Sequence, residues 1–169
     1  MEDIGVLARE TKVLVFDQYG TIVDMQKGLT DAVGDFERVV VAVDPPAGMG
    51  GDACGIVAAG LREGIVYVIG DASVRGLAPM DWAGRVAGLV RRVRAGRIVA
   101  EANQGGEMVR EVLRLAAGDE PVAVKLRHAT RAKRDRAEPV SVKYARGEVR
   151  HAGVFRELED EMCAFGADG

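Results

Sequence analysis

Residues 37–47 read Glu37-Arg-Val-Val-Val-Ala-Val-Asp44-Pro-Pro-Ala47, and this stretch decides the fold. A continuous apolar run rich in valine reads as a fully buried strand of a sheet. Pro45 and Pro46 stop it, because proline has no N–H to donate to the ladder. Asp44 is therefore expected at the end of a central strand, where a carboxylate is held rigidly at the rim of the core. A single Asp at a strand end more often forms a turn than does chemistry. Its meaning rests on what the rest of the chain places beside it.

The chain after Asp44 alternates in a regular way. Residues 54–60 and 64–69 read as two further strands. Leu61-Arg-Glu-Gly64 between them is short, polar and closed by glycine, which is hairpin chemistry. Strands one to three then form an antiparallel meander. The glycine-rich loop 48–55 is not a phosphate cradle, since no Gly-Lys-Ser/Thr follows, and Asp52 within it reads as a solvated loop acid. Pro79 opens a helix to about Arg94, with Trp82, Val86, Leu89, Val90 and Val93 on one face and arginines largely on the other. Gly96 ends it. Residues 97–101 form a fourth strand, again ending in a carboxylate, Glu101. The next helix carries an apolar stripe of Met108, Val109, Val112 and Leu115 and breaks at Gly118-Asp119. A fifth strand spans 121–126. A helix follows from near Arg134 to Ala145, its start blurred by Pro139. A short strand at 148–150 and an acidic-fronted helix at 157–165 complete the pattern.

From residue 37 the order is β-β-β-α-β-α-β-α. Three antiparallel strands followed by alternating helix and strand is the order of an α/β, RNase H-like fold, a mixed sheet of five or more strands with flanking helices. In that fold the first and fourth strands lie side by side, so Asp44 and Glu101 converge at one edge. Two close carboxylates repel unless a cation lies between them, and Mg²⁺ or Mn²⁺ suits oxygen donors of this kind. Glu101 alone reads equally as an exposed turn or cap acid. Asp71, at the end of the third strand, is a weaker metal candidate, with a turn acid before Ser73 as the alternative.

The 169 residues suit one domain of ordinary size, and 48% apolar with 5% aromatic residues implies a core of Val, Ala and Leu. The net charge of −3 neither favours nor excludes nucleic acid, because local patches matter more. One patch is basic: Lys125, Arg127, Arg131, Lys133, Arg134 and Arg136 face only Asp135 within their stretch. It can track a DNA backbone without reading sequence, or be an ordinary solvated helix face. His128, among these cations, is placed equally for phosphate contact or a structural role. Cys54 and Cys163 are far apart with no Cys-x-x-Cys, which favours free thiols in a reducing compartment. With no apolar run of 18 residues and no secretory leader, a cytoplasmic protein without a membrane partner is expected.

Two resemblances extend this reading. Lys12-Val-Leu-Val-Phe16 followed by Asp17-Gln-Tyr-Gly-Thr21 resembles the first motif of the haloacid dehalogenase superfamily, in which the residue matching Asp17 is the nucleophile. The family's later Ser/Thr, Lys and acidic pair are not placed here, so residues 1–35 are expected to be a leader. Asp44-Pro-Pro, Gly51-Asp-Ala-Cys-Gly55, Gly70-Asp-Ala-Ser-Val-Arg-Gly76, Ala100-Glu-Ala-Asn-Gln-Gly-Gly106, Arg136-Ala-Glu-Pro139 and Leu158-Glu-Asp-Glu-Met-Cys-Ala-Phe165 carry the second. They resemble the C-terminal nuclease domain of phage terminase large subunits, above all those of prophages and gene transfer agents.

The terminase resemblance implies a metal-dependent endonuclease over residues 36–169 that cuts concatemeric DNA during packaging. It implies double-stranded DNA as substrate, with a terminase motor, a small terminase subunit and a portal as partners. The family acids matching Asp44 and Glu101 bind Mg²⁺ or Mn²⁺. The family's third Asp lies in a helix beyond the Leu158–Phe165 motif. Asp160 and Asp168 are weak substitutes, so a C-terminally truncated domain with weak or absent cleavage is expected. The alternatives are an inactive DNA-binding or assembly piece and, further off, a dehalogenase-like hydrolase built on Asp17.

Overall fold

The computed structural model describes residues 35–46, 53–102, 105–130 and 132–165. The expectations for Asp17, the leader, Asp52, Arg131 and Asp168 lie outside them. Strands β1 (Arg38–Asp44), β2 (Ala53–Arg62) and β3 (Ile65–Asp71) form the expected antiparallel meander. A two-residue strand, β4 (Val74–Arg75), pairs with β2. Helix α1 (Pro79–Val93) leads into β5 (Arg97–Glu101), which lies parallel beside β1. Helix α2 (Gly106–Ala117) leads to β6 (Ala123–Arg127), parallel to β5. Helix α3 (Lys133–Ala145), strand β7 (Val149–His151), parallel to β3, and helix α4 (Arg156–Phe165) follow. The sheet has seven strands among the described residues, in the order β6-β5-β1-β2-β3-β7 with β4 attached to β2. The expected adjacency of the first and fourth long strands, here β1 and β5, is observed.

The two faces of this sheet are covered unequally. On β1, Val39, Val41 and Val43 are buried, whereas Val40 is half-buried and Ala42 exposed. The strand is therefore buried on one face, not on both as its valine run suggests. Helices α1 and α2 cover the buried face. Trp82, Val86, Leu89, Val90 and Val93 of α1 enter the core as their spacing predicts. On α2 the buried row is Val109, Leu113 and Ala117, at i, i+4 and i+8. Met108 and Leu115, expected in that stripe, are 51% and 69% exposed. Val109 and Val112 of the expected stripe do face the core, where Leu113 joins them in place of Met108 and Leu115. Helices α3 and α4 lie over the other face, and neither buries a side chain fully among the described residues.

Local chemistry sets several element ends. Pro79 sits in the first turn of α1, where its missing N–H costs nothing, and Asp81 faces the positive end of the helix dipole. The helix closes at Arg94, in the left-handed region at φ 51°, ahead of the expected Gly96. Gly60 cannot be replaced without displacing its neighbour: a Cβ there would lie 2.7 Å from the ring of Phe36, which precedes β1 and packs on β2. Helix α3 starts at Lys133 and continues through Pro139.

Candidate metal centre

The parallel register pairs Val43 of β1 with Ala100 of β5. The next residues along, Asp44 and Glu101, therefore end neighbouring strands, whose separation is about 4.8 Å. Val43 and Ala100 point into the core, so Asp44 and Glu101 point to the opposite face. Glu101 pairs in register with Arg127 of β6, and Asp44 lies opposite Gly55 of β2. Having no side chain, Gly55 leaves the space beside Asp44 open.

Asp44 is the shared wall of two clefts. One, of about 570 Å³, runs towards β3 and α4 and is lined by Asp44, Gly55, Asp71, Ser73, Arg75, Arg85, Glu157 and Glu161. The other, of about 420 Å³, runs towards β6 and α3 and is lined by Asp44, Glu101, Arg127, His128 and Arg136. The expected pair of strand-end acids thus shares one cleft, with basic groups at its edge.

The weaker candidates divide. Asp71 lines the first cleft, but its Oδ1 accepts hydrogen bonds from the Ser73 N–H at 2.9 Å and the Ser73 hydroxyl at 2.7 Å. The Ser73 oxygen in turn accepts from the Ile56 N–H at 3.0 Å. This pins the β3–β4 turn to β2, which is the turn-acid alternative for Asp71. Asp160 is exposed and is not part of the cleft lining, which takes Glu157 and Glu161 from the same helix. Their i, i+4 spacing is the signal in the sequence that places both on one helical face. In the basic run, Lys125, Arg127 and His128 are exposed. Arg136 lines the second cleft, where its Nη1 donates to Glu101 Oε2 at 3.0 Å.

A polar chain without an obvious sequence signal joins the layer above the site. The Tyr144 hydroxyl of α3 lies 2.7 Å from His151 Nε2 of β7. His151 Nδ1 lies 2.9 Å from Glu159 Oε1 of α4, which also accepts from the Phe155 N–H at 3.0 Å. With a neutral ring, Nδ1–H donates to Glu159 and Nε2 accepts from the tyrosine. With a charged ring, both nitrogens donate and the hydroxyl accepts, so the chain survives either state. Burial, with Glu159 nearby, pushes the Tyr144 hydroxyl up to about 12. Burial, with Asp44 nearby, pushes the Cys54 thiol up to about 12, so this cysteine is a core residue and not a nucleophile.

The donor set suits a hard cation held partly by substrate. Two carboxylates end adjacent strands, and no group of three or more His, Cys, Asp or Glu that could hold a metal occurs among the described residues. Mg²⁺ is commonly bound through one or two carboxylates together with substrate phosphates and water. The open cleft beside Asp44 and Glu101 leaves room for them.

A mixed sheet with acids at the ends of its two central parallel strands is the RNase H-like architecture. The chain belongs to the terminase RNase H-like domain family, whose model matches residues 41–169. A comparison with curated proteins found no match. Among solved structures, the human cytomegalovirus terminase nuclease domain, Mn-soaked with inhibitor bound, is 15% identical with a TM-score of 0.57, covering 69% of this chain and 63% of that one. The large terminase of a thermophilic bacteriophage is 11% identical with a TM-score of 0.52, covering 69% of this chain and 28% of that one. The chain thus spans less than two thirds of these relatives' length, and at such identities the likeness is one of fold. Among the described residues no helix is long and apolar enough to cross a membrane.

Proposed function

We propose that this chain provides the nuclease domain of a terminase large subunit, a Mg²⁺- or Mn²⁺-dependent endonuclease that cuts double-stranded concatemeric DNA during packaging. The observation that carries this reading is the placement of Asp44 and Glu101 on adjacent strand ends, on one face, at one cleft. The manganese-soaked terminase domain with the same fold supports the choice of ion. Asp44 and Glu101 would hold the metal, which when bound supplies Lewis-acid stabilisation of a phosphodiester and a more acidic water. The chain's own contribution is positional. The sheet fixes both carboxylates, and exposed Lys125 and Arg127 on β6 face the same side to receive the DNA backbone. A terminase motor, a small terminase subunit and a portal are the partners this role implies.

The test is nicking of supercoiled plasmid with Mn²⁺. Asp44→Asn and Glu101→Gln should each lower the rate by at least about 100-fold, since even removing a group that only supports a metal ligand costs 10–100-fold. Undiminished nicking by Asp44→Asn would remove the assignment. DNA binding without cutting by the unaltered chain would favour the inactive DNA-binding or assembly role.

A further inference from the structure

Arg136 stands where a competitor of the metal would stand. Its guanidinium reaches from the first turn of α3 to Glu101 at 3.0 Å, with the two side chains 37% and 24% exposed. The contact is one-pronged: Nη1 is engaged, while Nε is buried without a hydrogen-bond partner among the described residues. A guanidinium cannot lose its proton, so this is a permanent positive charge held against a proposed metal ligand. A divalent ion on the same carboxylate needs its oxygens and repels the guanidinium beside it. Both cations cannot be held at full strength. Helix α3 has no fully buried side chain among the described residues, so Arg136 can swing away without repacking the core. The cleft it would swing within also holds Arg127 and His128.

We propose that Arg136 is a resident counter-cation of Glu101, and that a divalent ion binds by exchange with it, freeing the guanidinium for a DNA phosphate in the same cleft. This rests on the reading of Asp44 and Glu101 as metal ligands. It adds a coupling: the phosphate that receives Arg136 favours the exchange, so DNA and metal each strengthen the binding of the other, by the same factor.

The experiment is Mn²⁺ titration by calorimetry, without DNA, on the whole chain and on its Arg136→Gln, Arg136→Lys and Asp44→Asn variants, with circular dichroism confirming the fold. Arg136→Gln should bind Mn²⁺ about tenfold more tightly, within the usual span of coupling between sites. Arg136→Lys, which keeps the charge, should stay near the unaltered protein. In thermal melts Arg136→Gln should lower the Tm without metal, and the difference should vanish at saturating Mn²⁺, where the pair is already broken. Equal or weaker Mn²⁺ binding by Arg136→Gln, with the unaltered protein still binding, would overturn the exchange and leave the metal site standing. No binding by any form, or Asp44→Asn binding like the unaltered chain, would overturn the metal reading and the exchange with it.

Discussion

The two faces of the sheet obey different rules. Under α1 and α2, alternate residues of β1, β2 and β5 interlock with Trp82, Val86, Leu113 and their neighbours, nearly all solvent-free. Over the other face, α3 and α4 are tied down by polar contacts: Arg136 to Glu101, and Tyr144 through His151 to Glu159. One face holds the fold through area removed from water; the other holds geometry through directional bonds. Asp44 and Glu101 sit on the second face, where a cleft stays open to solvent. Stability and the proposed metal site can thus share strands without sharing residues, because side chains alternate along a strand.

The largest expected effect tests the core face. Trp82→Ala removes a 2%-exposed indole and should cost about 3–5 kcal/mol, read from the urea midpoint. A loss comparable to that of a surface substitution would mean the core is not where the burial puts it. Smaller and on the polar face, His151→Ala leaves Glu159 and Tyr144 each short of a partner and should cost about 1–3 kcal/mol. Hydrogen exchange should then speed up in α3 and α4 while β1 and β5 stay protected; uniform loss of protection would erase the distinction between the faces.

The two faces also meet in alkaline titration, with Cys54 on one and Tyr144 on the other. Both groups lose their protons at lower pH when unfolded, at about 9 and 10, than when folded, at about 12. The unfolded chain therefore binds fewer protons across this window, and stability should fall as pH rises from about 9 to 12, with the full contribution present below it. Tyr144→Phe should flatten the upper part of that decline in denaturant melts at stepped pH, and an unchanged slope would count against the buried hydroxyl. The smallest effect belongs to Arg75→Ala. Its 2.8 Å pair with Glu161 is 69% and 63% exposed and should be worth no more than about 1 kcal/mol. A larger change in the melt would mean that this pair, too, fixes α4.

Much of this was legible from residue order because backbone rules act locally. The valine run with its prolines marked β1, and Pro79 with its apolar row marked α1. Asp44 and Glu101 were legible as a pair because strand order alone makes their strands neighbours. What stayed hidden depends on rotation and on distant partners. On α2, Val109 and Val112 face the core as expected and Met108 and Leu115 do not, because Met108, Val109, Val112, Leu113 and Leu115 allow more than one apolar face, and packing on α1, β5 and β6 selects among them. The pairing of Arg136 with Glu101 is not legible in the sequence because the two lie 35 residues apart. His151 gave no signal, since its partners come from two helices on either side of β7. The β1 strand read as doubly buried because valine density reports hydrophobicity without saying which face a helix will cover.

Phe36, just ahead of β1, is anchored on Gly60 of β2, and this has a mechanical consequence. The chain enters β1 at one end and presents Asp44 at the other, about 20 Å away at the rise of a strand. Hydrogen bonds to β2 and β5 run along both sides of it. A pull from the entry side loads these two ladders in shear, across many bonds at once, and not bond by bond. Tension from that side is thus spread through the two ladders before it reaches the end of β1 that carries Asp44.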